Sequence, residues 1–128
     1  MTQVPAVIRD PQRPGLRQPF SPARVAAGLI FVSGQARVDE NARYLPGTLE
    51  EEMRDAFAAV SRLLGEAGCT LADVIQARCY LGDPNDVGEF NELYLRFFSE
   101  PLPARTTLLG CLGSIRFEVD VVAVIPDA

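Results

Sequence analysis

The sequence predicts an α/β (α+β) fold, in which a sheet carries helices on one face. Strand-like segments alternate with segments whose apolar residues recur at helical spacing, in the order strand, helix, strand, helix, strand, strand. The chain has 128 residues, of which 48% are hydrophobic, enough for a core. Its sequence contains no internal repeat, low-complexity tract or linker. One domain over residues 1–128 is therefore predicted.

The first half of the chain predicts an irregular segment, a strand and a helix. Prolines recur up to residue 20 and favour irregular chain, whereas residues 29–33 are typical of a strand that ends at Gly34. Residues 35–48 are predicted to form a loop. Thr48 and Glu51 form a capping-box pattern at the start of a helix, and Gly68 is its natural stop.

The next segment predicts a strand over residues 74–81 and a second helix. Asp86 and Glu89 resemble another capping box, with Asp86 as the N-cap residue. Pro101 and Pro103 are expected to end this helix, because proline cannot donate the backbone hydrogen bond that the helix needs.

Two final strands are predicted over residues 104–112 and 115–125, joined as a hairpin by a tight turn at Gly113-Ser114. Alternate residues of the last strand point to opposite faces of the sheet. One face is apolar throughout, whereas the other begins charged and ends apolar. The second face favours cover by a partner subunit, and cover by a loop is the alternative.

Charge and composition exclude several functional classes. The net charge is −5, and the twelve basic residues, all arginine, are scattered along the chain, which opposes binding to nucleic acid. Histidine is absent, which excludes Ser-His-Asp and Cys-His catalysis and the usual metal-site chemistry. Any catalysis must therefore use carboxylates, arginine, hydroxyls, thiols or backbone groups.

Cysteine usage and the N-terminus predict a cytoplasmic protein. The three cysteines form no C-x-x-C pair, and an odd number of them indicates reduced thiols. The first residues lack the basic and apolar regions of a secretory signal, and no apolar run has the roughly 18 residues that a membrane span needs.

Three positions could carry chemistry. Arg105 begins a strand, where its planar group can bind a carboxylate through two hydrogen bonds; a surface arginine or a structural salt bridge is the alternative. In the predicted hairpin it lies near Glu118, which can orient or deprotonate water or can form a simple Arg–Glu pair. Gly34, after Ser33, either permits close approach of a substrate or merely ends the strand.

Several stretches together resemble one family. They are PFSP at 19–22, FVSGQ at 31–35, EEMRDA at 51–56, FNELY at 90–94 with Phe97-Phe98, PARTT at 103–107 and FEVD at 117–120. In their order and spacing, from about residue 17 to the end, the chain resembles the RidA/YjgF family of reactive intermediate deaminases.

The resemblance implies a chorismate-mutase-like fold, a mixed sheet with two helices on one face, assembled as a homotrimer with a site in each cleft between subunits. It implies hydrolysis of imines and enamines of 2-amino acids, such as 2-aminoacrylate, to 2-keto acids and ammonia. It also implies a small carboxylate-bearing metabolite as partner and no metal or organic cofactor. The expectation of no nucleic-acid or membrane partner rests instead on the net charge and on the absence of a long apolar run.

The resemblance also implies roles for individual residues. Arg105 matches the arginine that grips the substrate carboxylate, and Glu118 matches the glutamate that places or activates water. The other positions match substrate-binding residues: Phe20, Ser33, Gly34, Asn91 and Thr107.

Two features of this chain depart from the family pattern. Phe20 stands where many active members have tyrosine, and the segment 109–115 is shorter than usual. Three hypotheses follow: an imine or enamine deaminase, a non-catalytic metabolite-binding or regulatory trimer, and, most weakly, a ribonuclease. Release of a keto acid, carboxylate binding without turnover, and salt-sensitive RNA binding discriminate among them.

Overall fold

The computed structural model describes residues 3–127, so Met1, Thr2 and Ala128 lie outside the described residues. Within that range six strands form one sheet. They are β1 (Val7–Ile8), β2 (Ala23–Ala26), β3 (Leu29–Gln35), β4 (Val74–Leu81), β5 (Ala104–Leu109) and β6 (Phe117–Val124). The two α-helices of the same range are α1 (Leu49–Gly65) and α2 (Val87–Tyr94). The predicted α+β class is confirmed.

The strand order in the sheet is β1-β2-β3-β6-β4-β5. β4 and β5 are parallel, and every other neighbouring pair is antiparallel. β4 and β5 can be parallel because the segment between them, which contains α2, returns the chain to the end of the sheet at which β4 begins. The last strand, β6, lies in the middle of the sheet, between β3 and β4.

The predicted hairpin of the two final strands is wrong. β5 pairs with β4, and β4 separates it from β6. The segment around Gly113-Ser114 crosses the end of β4 instead of reversing beside β5, and the Gly82 N–H donates to the Arg116 carbonyl at 2.9 Å along this path. A local turn signal predicts a reversal of the chain, but the pairing of the strands depends on their packing against the helices.

The structure adds a hairpin that sequence patterns did not predict. β2 and β3 are joined by Ala27 and Gly28, both at positive φ, of 54° and 76°. Positive φ at both central residues defines the two-residue turn that suits the twist of a hairpin. Ala-Gly lacks the asparagine or aspartate that usually marks this turn.

The helix termini confirm some predictions and correct others. Thr48 is the N-cap of α1 and forms the full capping box with Glu51. The helix ends at Gly65, and Gly68 completes the following left-handed turn at φ 74°. Asp86 is the N-cap residue of α2 as predicted, but the predicted capping box is wrong, because the Asp86 side chain makes no capping hydrogen bond and instead pairs with Arg116 at 3.2 Å.

The predicted end of α2 is also wrong. The helix ends at Tyr94, well before Pro101 and Pro103. The Arg96 and Phe97 N–H groups donate to the carbonyls three residues earlier, so a tighter turn replaces the α-helix before either proline is reached.

Both helices pack on one face of the sheet and enclose an aromatic core. Phe57 of α1 stacks on Phe97, with ring centroids 4.4 Å apart, and meets Phe117 of β6 at 5.5 Å. Phe117, Val119, Val121 and Ala123 of β6 are all buried on this side. We call it the helix face, and we call the opposite side of the sheet the open face. No helix in the described part of the chain is long and apolar enough to cross a membrane.

Candidate functional site

The predicted site residues fall into two clusters that the fold keeps apart. The edge cluster, on the helix face beside edge strand β5, consists of Asn91, Arg105 and Thr107. The open-face cluster, around the middle of the sheet, consists of Phe20, Ser33, Gly34 and Glu118. Each cluster has its own geometry.

Arg105 is held between two aromatic rings of α2. Its guanidinium carbon lies 4.8 Å from the ring centroids of both Phe90 and Tyr94. One of its terminal nitrogens donates to the Asn91 side-chain oxygen at 2.8 Å. Contacts of this kind fix the plane of the guanidinium without neutralising its charge.

No carboxylate compensates that charge in the described residues. Seven ion pairs join other arginines to acidic groups in residues 3–127, and none of them includes Arg105. The Arg105 side chain is exposed. An oriented guanidinium with free donors is suited to bind a planar anion such as a carboxylate.

Thr107 lies on the same face of β5 as Arg105, because residues two apart along a strand point the same way. It pairs with Cys79 of β4, which is fully buried. Burial raises the pKa of the Cys79 thiol to about 12, so it stays protonated and is not a nucleophile at neutral pH. The edge cluster therefore offers binding groups and no reactive thiolate.

In the open-face cluster, Glu118 is held between a glycine and a tyrosine. One carboxylate oxygen accepts a hydrogen bond from the Tyr44 hydroxyl at 3.1 Å. The other occupies the space beside Gly34, where a Cβ atom would lie 2.5 Å from it. The register of β3 against β6 shifts between Val32 and Gln35, a bulge that includes Gly34.

Ser33 and Phe20 line the same groove as Glu118. The Ser33 hydroxyl donates to the Ser21 carbonyl at 2.6 Å, so its proton is already committed to the backbone. Phe20 is 51% exposed. The open-face cluster lies in a groove of about 780 Å³ that also includes Tyr44, Arg78 and Asp120, but no member of the edge cluster.

The expected proximity of Arg105 and Glu118 is wrong within the chain. Arg105 pairs with Ala77, and Glu118 pairs with Tyr80, on opposite sides of β4. The two strands are separated by β4, which alone places the residues roughly 10 Å apart. Arg105 also contacts α2 on the helix face, whereas Glu118 points to the open face. A single chain therefore cannot present both side chains to one small substrate.

Sequence patterns missed two residues of this region. Tyr44 lies in the loop before α1, and no local sequence pattern indicates its contact, because its partner Glu118 is distant in the sequence. Glu52 is fully buried, and its carboxylate accepts N–H groups of Gly47, Arg116 and Phe117 at 3.1, 2.8 and 3.2 Å. Its place on the apolar stripe of α1, beside Met53 and Ala56, could have indicated burial.

No group of three or more histidine, cysteine, aspartate or glutamate side chains in residues 3–127 is arranged to hold a metal ion.

Comparison with known proteins places the chain in a sequence family. The family model described as Endoribonuclease L-PSP matches residues 11–125. The mouse protein named 2-iminobutanoate/2-iminopropanoate deaminase is 32% identical over 121 residues, which cover 92% of this chain and 90% of the mouse protein. The fission yeast protein named mmf2, mitochondrial, is 36% identical over 90 residues, 70% of this chain and 71% of that protein.

Solved structures agree with the sequence comparisons. The crystal structure of Escherichia coli TdcF with bound serine superimposes with a TM-score of 0.79 at 27% identity, covering 92% of this chain and 97% of that one. A yeast protein, YEO7, superimposes with a TM-score of 0.83 at 23% identity, covering 94% of this chain and 98% of that one.

Proposed function

The chain belongs to the RidA/YjgF family, whose model is described as Endoribonuclease L-PSP, and from this premise we propose that it is a hydrolytic deaminase of reactive imines and enamines. Its substrates would be of the 2-aminoacrylate and 2-iminopropanoate type, and its products a 2-keto acid and ammonia. This proposal is supported by curated relatives that are named as deaminases and whose matches cover nine-tenths of the chain.

The observation that carries the proposal is the state of Arg105. Its guanidinium is oriented by two aromatic rings and Asn91, yet in the described residues it has no acidic partner. A substrate carboxylate could supply that partner through two parallel hydrogen bonds. Every substrate of the proposed reaction carries such a carboxylate.

The separation of the two clusters supports a site between subunits. If the edge cluster of one protomer meets the open face of the next, Arg105 and Glu118 from different copies can reach one substrate. The open face offers apolar surface for this contact, since Phe31 is 46% and Val124 42% exposed. We therefore propose a homotrimer of single-domain subunits with three such sites.

The chemistry needs few groups. An enamine first tautomerises to the imine, whose carbon is electrophilic. Arg105 holds the carboxylate, and Glu118 accepts a proton from water as the water oxygen bonds to the imine carbon, then gives that proton to the nitrogen. In the resulting carbinolamine the hydroxyl proton passes to the nitrogen by way of Glu118, the C–N bond breaks, and ammonia leaves the keto acid behind. Thr107 would lie beside the water. The substrate would be bordered by Ser33, Gly34 and Phe20.

A non-catalytic metabolite-binding trimer is the alternative. It is favoured by Phe20, which has no hydroxyl to offer a substrate, and by the short segment that joins β5 to β6. In that case carboxylates would bind to Arg105 without turnover. The net charge of −5 opposes the ribonuclease reading.

The proposed compartment is the cytoplasm, based on the odd cysteine count. A fission yeast relative is named as mitochondrial, so fractionation of cells that express the tagged protein is the appropriate test.

The decisive experiment follows keto-acid release from freshly generated 2-aminoacrylate with the wild type, Arg105→Ala and Arg96→Ala. Arg96 is a matched control, because it forms an exposed ion pair with Glu50 and belongs to neither cluster. We expect turnover in the wild type and the control and none above the spontaneous rate in Arg105→Ala. Equal turnover in all three proteins would refute the proposal. Carboxylate-dependent thermal stabilisation without turnover would favour the binding protein.

A further inference from the structure

We propose that the Tyr44 hydroxyl holds the Glu118 carboxylate in the orientation that directs water at the substrate. Tyr44 would then be a positioning residue, acting through Glu118. The inference rests on the proposed function and adds a residue to it. Its starting point is the hydrogen bond of 3.1 Å between the two side chains, which lie 74 positions apart in the sequence.

The Glu118 carboxylate is restrained on both sides by this arrangement. Gly34 leaves room for one oxygen, and Tyr44 donates to the other. A glutamate side chain has several rotatable bonds, and fixing them costs entropy that these contacts offset before substrate arrives. A carboxylate that directs water must hold the water in a well-defined position relative to the substrate, since small displacements of a reacting group greatly lower the rate.

The loop that carries Tyr44 is itself well ordered by hydrogen bonds. Tyr44 forms an antiparallel bridge with Val38. Between them, the Asp39 carboxylate accepts the N–H of Arg43 at 3.0 Å, and the Asp39 carbonyl accepts a hydrogen bond from Arg13 at 2.8 Å. The phenol is therefore presented from a defined turn. A side chain on such a turn can hold a partner in a fixed place.

The protonation state of Tyr44 suits this role. Partial burial and the nearby Glu118 carboxylate raise the pKa of Tyr44 above 10. The hydroxyl keeps its proton at neutral pH and remains a donor to the carboxylate. Tyr44 is 56% exposed, so loss of its hydroxyl should change the orientation of Glu118 more than the stability of the fold.

The chain provides a matched control for this contact. The Tyr80 hydroxyl donates to the Asp120 carboxylate at 2.6 Å, also on β6 and on the open face. Arg78 binds the same carboxylate at 2.8 Å, so Asp120 keeps a partner when the Tyr80 hydroxyl is removed. Tyr80→Phe thus removes the same kind of hydrogen bond from a carboxylate that is not expected to direct water.

The test compares Tyr44→Phe, Tyr80→Phe, Glu118→Gln and the double variant Tyr44→Phe/Glu118→Gln in steady-state imine hydrolysis, together with their Tm values. We expect Tyr44→Phe to lower kcat about tenfold, part of the ~10²–10⁴-fold that a positioned base contributes, with KM and Tm unchanged. Tyr80→Phe should keep the wild-type kcat. In the Glu118→Gln background, loss of the Tyr44 hydroxyl should have no further effect.

The outcomes separate the inference from the proposed function. Turnover by the wild type with an unchanged kcat in Tyr44→Phe overturns the inference alone. An equal fall of kcat in Tyr44→Phe and Tyr80→Phe also overturns it. So does a fall of kcat that multiplies with that of Glu118→Gln in the double variant, or one that is accompanied by a lower Tm. A wild type that hydrolyses no imine overturns the proposed function, and the inference with it.

Discussion

The Glu52 carboxylate accepts a hydrogen bond from the Phe117 N–H at 3.2 Å and so joins the first turn of α1 to the start of β6, the strand that carries Glu118. The same oxygen accepts the Arg116 N–H at 2.8 Å, and the other oxygen accepts the Gly47 N–H at 3.1 Å. A fully buried acidic side chain is tolerated here because three backbone donors replace its contacts with water.

Replacement of Glu52 should therefore destabilise the fold. We expect Glu52→Ala to lower the free energy of unfolding by about 3 kcal/mol, because three backbone N–H groups lose their acceptor. Glu52→Gln keeps one oxygen and should cost about 1 kcal/mol. Urea denaturation provides the measurement, with Glu50→Ala as a control, since Glu50 is an exposed neighbour. Equal effects at positions 50 and 52 would argue against this role.

Gly34→Ala should impair activity more than stability. The new Cβ atom would lie 2.5 Å from a Glu118 oxygen, and that oxygen ends a flexible side chain that can move aside. Movement would relieve the contact but displace the carboxylate, so we expect kcat to fall about 100-fold, within the range that a positioned base contributes. Gly65→Ala is the control, because open space surrounds it. A wild-type kcat in Gly34→Ala would show that the position of Glu118 is not critical.

Tyr94→Phe should leave the protein as stable as the wild type or more stable. The Tyr94 hydroxyl is buried and has no hydrogen-bond partner in the described residues, and burial raises its pKa to about 12. Because an unsatisfied buried hydroxyl costs free energy, its removal should raise the free energy of unfolding by about 1 kcal/mol. Thermal or urea denaturation tests this, and a clear loss of stability would reveal a partner for the hydroxyl.

Stability should fall in acid, partly through Asp10. Burial alone would raise the pKa of Asp10, but hydrogen bonds from Gln12, Arg62 and Arg13 outweigh it and lower the pKa below 3.8. A carboxyl group whose pKa is lower in the folded state stabilises the fold fully above its ordinary pKa and loses that effect as the pH falls through the folded pKa. Asp10→Asn should therefore flatten the decline of Tm below about pH 4. An identical decline in both proteins would contradict this account.

The proposed assembly predicts that a charge on the open face separates the subunits. Phe31→Glu places a carboxylate among exposed apolar side chains of β3 and should convert a particle of three 13.9 kDa chains into monomers. Ser61→Glu, on the outer side of α1, should leave the assembly intact. Sedimentation velocity distinguishes these states. A wild type that sediments as a monomer would contradict the proposed site between subunits.

The sequence by itself determined the local elements and the chemical groups. The capping box at Thr48 and Glu51 located the start of α1, because both partners lie within one helical turn. Residue types typical of strands located β3 and β4 to within a few residues. Arg105 and Glu118 were singled out by residue type and by the family resemblance, neither of which depends on how the strands pair.

The tertiary structure decided which groups meet. Alternation along a strand shows which residues share a face, but not which strand lies beside it, so the predicted hairpin placed Arg105 next to Glu118. Burial of Phe117 and Val119 against the helices brings β6 between β3 and β4 and turns Glu118 away from Arg105. Local patterns likewise could not predict the contact of Tyr44 with Glu118 or that of Glu52 with Phe117, because each joins residues more than sixty positions apart.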